Sequence, residues 1–345
     1  MIRSTCLAAL LLMPALALPQ TPDAPIGVFT IVEGDVTVVR EAREFTAVEG
    51  MPLRGEDIVR SRDATRLARI ELQDGTLLDL GPATELLLQP HALVAPGAAN
   101  ASLYLLRGWL KVTATPTKES VGVALASPQI ALARLSGNAV LHASPQASLA
   151  FIEVGRANAL ERSVGRPAAA HELNDGDAFV VRSGVPGTSA RRPPADLMAG
   201  LPRAFADTLP RRAAQWRGRS VAEPAPLGDP GYAELAPWLH AEPALRVSFV
   251  KRFSPLARDR RFRTSLLAEL PAHPEWSRVL FPEKYRARAA STLAARRTTL
   301  PQTPTAKPSP AVTRTANGML EPPARGVETA NPVPTIAQAP RMETP

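Results

Sequence analysis

The chain has 345 residues, 36 prolines and only 5% aromatic side chains, which argues against one large core and leaves room for one or two domains. Cys6 is the single cysteine, so a disulfide framework is excluded. The net charge of +8 is unevenly spread: residues 21–190 hold 15 Lys/Arg against 19 Asp/Glu, whereas residues 191–297 hold 20 against 10. A mildly acidic front half is thus followed by a strongly basic part, which favours polyanionic partners.

The first segment reads as an export signal. Arg3 supplies a positive charge, residues 6–18 are almost wholly apolar, and Ala15-Leu16-Ala17 offers small residues for cleavage. The apolar run is too short to span a bilayer comfortably and contains Pro14. A signal peptide over residues 1–17 is therefore expected, leaving a mature chain without cysteine, thiolate metal sites or a cysteine nucleophile. No later stretch is long and apolar enough to span a membrane, and the expected location is the periplasm or cell envelope.

Residues 25–184 read as strands. Val36-Thr37-Val38, Ile70-Glu71-Leu72 and Leu78-Asp79-Leu80 alternate in polarity. Asp74-Gly75 between the last two is a hairpin signal, because a type I′ turn needs two positive φ angles. Asn174-Asp175-Gly176-Asp177 supplies a similar turn before Ala178-Phe179-Val180-Val181. Gly34, Gly108, Gly137 and Gly155 each stand ahead of a short strand-like run, where glycine permits a tight bend or a close backbone approach. The spacing of these units is uneven. They predict stacked short strands in a two-layer all-β domain, as a roll, sandwich or short solenoid.

Residues 194–297 change period. Leu197, Leu201, Phe205 and Leu209 recur at helical spacing, as do Tyr232, Leu235 and Leu239, then Phe262, Leu266, Leu267 and Leu270. Asp229 and Asp259 are candidate N-caps. Prolines 202, 210, 237, 243, 255, 271 and 274 limit the helices to short or kinked pieces. Trp216, Trp238, Phe249, Phe253, Trp276, Phe281 and Tyr285 are candidate core residues. Residues 298–345 hold ten prolines and few apolar side chains, a composition expected to stay disordered.

The front half resembles the FecR domain family of bacterial envelope proteins. The resemblance rests on the order of Gly34-Asp35-Val36-Thr37-Val38, Val48-Glu49-Gly50-Met51-Pro52-Leu53, Gly55-Glu56-Asp57-Ile58-Val59 and residues 68–76. Leu80-Gly81-Pro82-Ala83-Thr84-Glu85-Leu86, residues 106–112, Ala126-Ser127-Pro128 and Ser136-Gly137 continue it. It covers residues 26–181 and implies a non-catalytic periplasmic β domain. In well-known members that domain follows a cytoplasmic anti-sigma segment and one membrane helix, and relays a signal from an outer-membrane receptor. Here an export-type segment precedes it, so the resemblance implies the binding role alone. The later segment, with Lys251-Arg252-Phe253 and His273-Pro274-Glu275-Trp276, looks like the C-terminal extension of some exported FecR-domain proteins.

No Gly-x-Ser-x-Gly elbow, phosphate-binding Gly-rich loop or His-Glu-x-x-His is present. Asp74 and Asp175 fall in turns, where Asp serves the backbone. His91, His142, His171, His240 and His273 lack paired ligand spacing. His273 and Glu275 could ligate a metal together, or His273 could cap a turn before Pro274 starts a helix. Asn174-Asp175-Gly176-Asp177 lacks the downstream ligands of a calcium loop.

The chemistry-bearing feature is the run Lys251, Arg252, Arg258, Arg260, Arg261 and Arg263 around Phe253 and Phe262. It is either a solvated helix face or a polyanion-binding patch. The expected protein is a non-enzymatic envelope binding or scaffold module without a cofactor, whose partner is an envelope protein or a cell-wall polyanion rather than nucleic acid. A sensory regulator working through a partner, with the first segment kept as an anchor, is the alternative, and a cell-wall hydrolase with an unfamiliar site is a third reading.

Overall fold

A computed structural model describes residues 24–90, 102–114, 122–162, 170–219, 221 and 224–286. The expected signal peptide and proline-rich tail, Cys6 and His91 lie outside them. The described residues form a large β-sheet followed by short helices. In chain order the strands are β1 (Gly27–Glu33), β2 (Val36–Arg40), β3 (Arg43–Thr46), β4 (Pro52–Leu53), β5 (Ile58–Ser61), β6 (Leu67–Leu72), β7 (Leu77–Leu80) and β8 (Glu85–Leu88). Then come β9 (Leu103–Ala114), β10 (Val123–Ala126), β11 (Ile130–Ala143), β12 (Ala147–Glu161), β13 (Ala170–Leu173), β14 (Ala178–Arg182), β15 (Val185–Ala190) and β16 (Pro226–Gly228).

Three long strands make the sheet fold over on itself. The first half of β9 pairs with β8 and β10, and its second half with β7 and β11. β11 runs from β10 to the second half of β9, and β12 pairs with β14 along its start and β13 along its end. One layer therefore follows the order β16-β3-β2-β5-β8-β9-β10-β11-β12-β13, and the other β4-β1-β6-β7-β9-β11-β12-β14-β15. Phe29, Val38, Ile70, Leu86, Leu110, Leu141, Ile152 and Phe179 from both layers share one buried cluster between them.

The bends sit at Gly108, Gly137 and Gly155, with φ of 93°, 97° and 102°. These glycines lie inside the long strands, not at their starts as the sequence pattern suggested. Gly137 and Gly155 face each other across the β11–β12 ladder, and a Cβ on Gly155 would lie 1.9 Å from the Ser136 carbonyl oxygen. Gly155→Ala is expected to cost about 2–3 kcal/mol, since forced contact adds to left-handed strain. Gly184→Ala, with a φ of 77° but nothing within 4 Å, should cost only about 1 kcal/mol. Comparing denaturation midpoints of the two variants checks the difference.

The Asp74-Gly75 turn joins β6 to β7 as an antiparallel hairpin, with the Asp74 carboxylate accepting from Thr76 N at 2.8 Å. The Asn174–Asp177 turn differs from that expectation. It links β13 and β14, which pair with opposite ends of β12 rather than with each other, and the Asp175 carboxylate accepts from Gly155 N at 2.5 Å, next to the bend.

Both outer faces are covered by the rest of the chain. Residues 194–219 cross the second layer as a strap with a four-residue helix, α1 (Ala195–Met198), and 3-10 turns at Arg203–Ala206 and Ala213–Trp216. The helical spacing of Leu197, Leu201, Phe205 and Leu209 does not produce one helix, because Pro202 interrupts it. Phe205 is instead buried against Ile31, Leu67, Trp109 and Val140, with Leu201 and Leu209 beside them. On the first layer lies a cap of α2 (Tyr232–Leu239), α3 (Pro243–Phe253), α4 (Arg260–Ala268) and α5 (Ser277–Leu280).

Strands β2, β5, β7 and β8 are consequently buried along their whole length although they carry polar residues, whereas the edge strands β15 and β16 stay largely exposed. Polar residues that alternation would place in water lie under the strap and bond to it. Arg69 pairs with Asp79 at 2.6 Å and donates to Leu209 O, Glu71 accepts from Arg212 N and Ala213 N, and Lys111 donates to Phe205 O. No helix among the described residues is long and apolar enough to cross a membrane.

Candidate functional site: a basic surface on the helical cap

The cap forms because its apolar residues fall on one face of each short helix. Leu245, Phe249 and Phe253 recur every four residues in α3, and Phe262 and Leu266 do so in α4. Pro243 starts α3, where its missing N–H costs nothing. Asp259 caps α4 by accepting from Phe262 N at 2.8 Å, as its position suggested. Asp229 does not cap α2, whose N-cap is Gly231 without a side-chain bond. The inward faces join Val39, Ile58, Leu87, Tyr104 and Ala126 of the first layer, burying Trp238, Phe249, Phe253 and Trp276.

Polar contacts fix the cap's position. Arg252 reaches from α3 into the sheet and donates to Val39 O at 2.7 Å, Glu41 O at 3.0 Å and Glu56 O at 2.6 Å. Glu41 and Glu56 both hold positive φ, 53° and 66°, so two strained turns converge on one guanidinium. That group also lies 4.9 Å over the Phe253 ring. Burial pushes its pKa down to about 10, against the opposing fields of Glu56, Asp57 and Glu41. Arg60 donates to Glu234 O at 2.7 Å, and Arg162 pairs with Glu242 at 2.7 Å.

The six cations of the basic run therefore divide. Arg252 is held in the sheet, and Arg263 donates to Leu280 O at 2.5 Å, tying α4 to α5. Lys251, Arg258, Arg260 and Arg261 are exposed, and among the described residues none of these four side chains forms an ion pair. They are the part of the run able to meet an anion from solution. The strap and the buried ionic contacts were missed in the sequence. Their only signal was the regular placement of Arg69, Glu71 and Asp79, which reads equally as a solvent face.

The histidines serve separate places. His142 stacks on Trp109 with ring centroids 4.3 Å apart, and burial pushes its imidazole below the ordinary range. His171 Nδ1 lies 3.0 Å from Ser189 Oγ. His273 does not cap its turn through its side chain; the ring is buried and its Nε2 lies 2.8 Å from the Tyr232 hydroxyl. Pro274 does open a 3-10 turn. Among the described residues no group of three or more His, Cys, Asp or Glu side chains is arranged to hold a metal ion.

No protein-family model matches the chain, and no curated protein matches it. Among solved structures the chain is similar to two crystal structures of a protein from Parabacteroides distasonis ATCC 8503, provisionally described as an anti-sigma factor. Each has a TM-score of 0.32 and 10% identity, and the match covers 39% of this chain. The chain spans 59% of the length of those proteins.

Proposed function

We propose that the protein is a non-catalytic binding or scaffold module of the bacterial envelope, in which a FecR-like β body carries a basic cap onto a polyanionic surface. The observation that carries this reading is the exposed group Lys251, Arg258, Arg260 and Arg261 on a cap clamped to the sheet by Arg252. A rigid support keeps four cations together without the entropy cost of ordering a flexible basic tail. The pattern of residues 1–17 supports the envelope location.

Co-sedimentation of the purified protein with cell-wall sacculi tests it. Binding is expected at low ionic strength and should fall steeply as salt is added, because these charges lie within reach of screening ions. The triple variant Lys251→Glu, Arg260→Glu, Arg261→Glu should lose at least about tenfold in affinity. Binding that survives both salt and charge reversal would move recognition elsewhere on the protein. No binding at low salt would remove the wall-polymer reading.

A sensory regulator acting through a partner is the second reading, favoured by the ordered FecR-like motifs of residues 26–181. The N-terminus of the protein recovered from cells separates the two: a start near Leu18 supports the released module, and a start at Met1 the anchored regulator.

A further inference from the structure

The cap contains a buried histidine with a second imidazole against it. His273 is wholly buried, its Nε2 is 2.8 Å from the Tyr232 hydroxyl, and its ring centroid is 4.5 Å from that of His240. His240 Nδ1 is fixed by Ala236 O at 2.8 Å, at the end of α2. The contact thus joins α2 to the turns Leu270–Ala272 and Pro274–Trp276, which bring Trp276 into the cap core.

We propose that the Tyr232–His273–His240 contact is an acid-sensitive latch, whose protonation loosens the helical cap from the sheet while the β layers stay closed. A charged His273, itself buried, would lose Nε2 as an acceptor for the half-buried Tyr232 hydroxyl and would face His240, which stands exposed at the end of α2. Arg246 adds to the penalty from α3, with its own bond to Ala272 O at 2.7 Å. Glu275, 3.7 Å from Arg246, and Glu269 at the end of α4 are the opposing carboxylates on this side. Burial first, and then His240, push the His273 imidazole below its ordinary value; Glu275 works against them.

The sign follows from linkage. The unfolded chain takes up its proton near the ordinary histidine value of about 6.5, and the folded cap only at lower pH. The latch therefore leaves stability unchanged above that range and lowers it as pH falls through it. Glu85 on the sheet beneath the cap acts oppositely: burial pushes its carboxyl up, so its protonation offsets the effect.

Hydrogen exchange of the full chain at about pH 7.5 and about pH 5, corrected for intrinsic rates, reads this directly. Peptides from residues 232–280 should lose protection, by up to about 30-fold, the limit set by pH 5 lying about 1.5 units below the ordinary histidine value. Peptides from residues 147–161 and 170–182 should hold theirs. His273→Gln keeps a polar group near the Tyr232 hydroxyl and should abolish the acid loss, and His240→Gln should reduce it. His142→Gln, on the strap face, should leave it as in the wild type. Cap protection that does not change with pH, or that falls equally in His273→Gln, overturns the latch. If tryptophan fluorescence shows His273→Gln unfolded at neutral pH, His240→Gln decides: an acid loss equal to the wild type overturns it.

Discussion

Replacing Arg252 by alanine is expected to lower stability by about 3 kcal/mol, with the loss centred on the helical cap. Three carbonyl oxygens, from Val39, Glu41 and Glu56, would lose their donor together. An acceptor left unmade away from water costs about 1–3 kcal/mol, and less at Glu41, whose bond to Arg252 is exposed to solvent. The net effect is less than the sum because the guanidinium is itself costly to bury, as its depressed pKa records. Lysine should recover less than half of the loss: it keeps the charge, but a compact ammonium cannot reach three carbonyls as a planar fork does. Urea unfolding followed through Trp238 and Trp276, both fully buried in the cap, measures the shift at constant slope. A change within about 0.5 kcal/mol would mean that water replaces the side chain without penalty.

A chain ending at Ala190 is expected not to fold cooperatively, although it contains every strand except β16. It would bare Val39, Ile58, Leu87 and Tyr104 on one layer, and Ile31, Leu67, Trp109 and Val140 on the other. At about 1.5–3 kcal/mol for each large side chain, the lost burial is roughly 12 kcal/mol or more. That is of the order of the whole net stability of a domain, about 5–15 kcal/mol. The charged residues under the strap would also lose partners: Glu71 its two backbone donors, and Lys111 the Phe205 carbonyl. The shortened chain should bind hydrophobic dyes and melt without a sharp transition. A cooperative transition like that of the longer chain would show that the layers close on their own.

These two results bear on what the sequence revealed. Local signals were legible because they are backbone chemistry: Asp74-Gly75 turns β6 into β7, Asp259 caps α4, and the prolines keep the helices short. Of the candidate core aromatics, Trp238, Phe249, Phe253 and Trp276 are buried in the cap, whereas Trp216, Phe281 and Tyr285 are only partly buried. Long-range coverage was not legible. Arg69, Glu71 and Asp79 alternate with apolar residues as a solvent-facing row would, and nothing local shows that a segment some 140 residues later lies over them. Gly137 and Gly155 mark bends, but only their pairing shows that they bend together. In the basic run, sequence gave the charges but not their directions, because the partners of Arg252 lie 196 to 213 residues upstream.

Those separations also set an order of events during synthesis. The strands from β1 to β15 are all made before residue 194, yet the side chains that seal their outer faces come from the strap and the cap that follow. Non-local contacts of this kind slow folding, since a long loop must close before any of them repays its entropy. As the chain emerges, its β half carries two unsealed apolar faces until the strap has been made, and one of them until the cap follows with α3 and Arg252. During that interval the nascent sheet is a natural client for a chaperone.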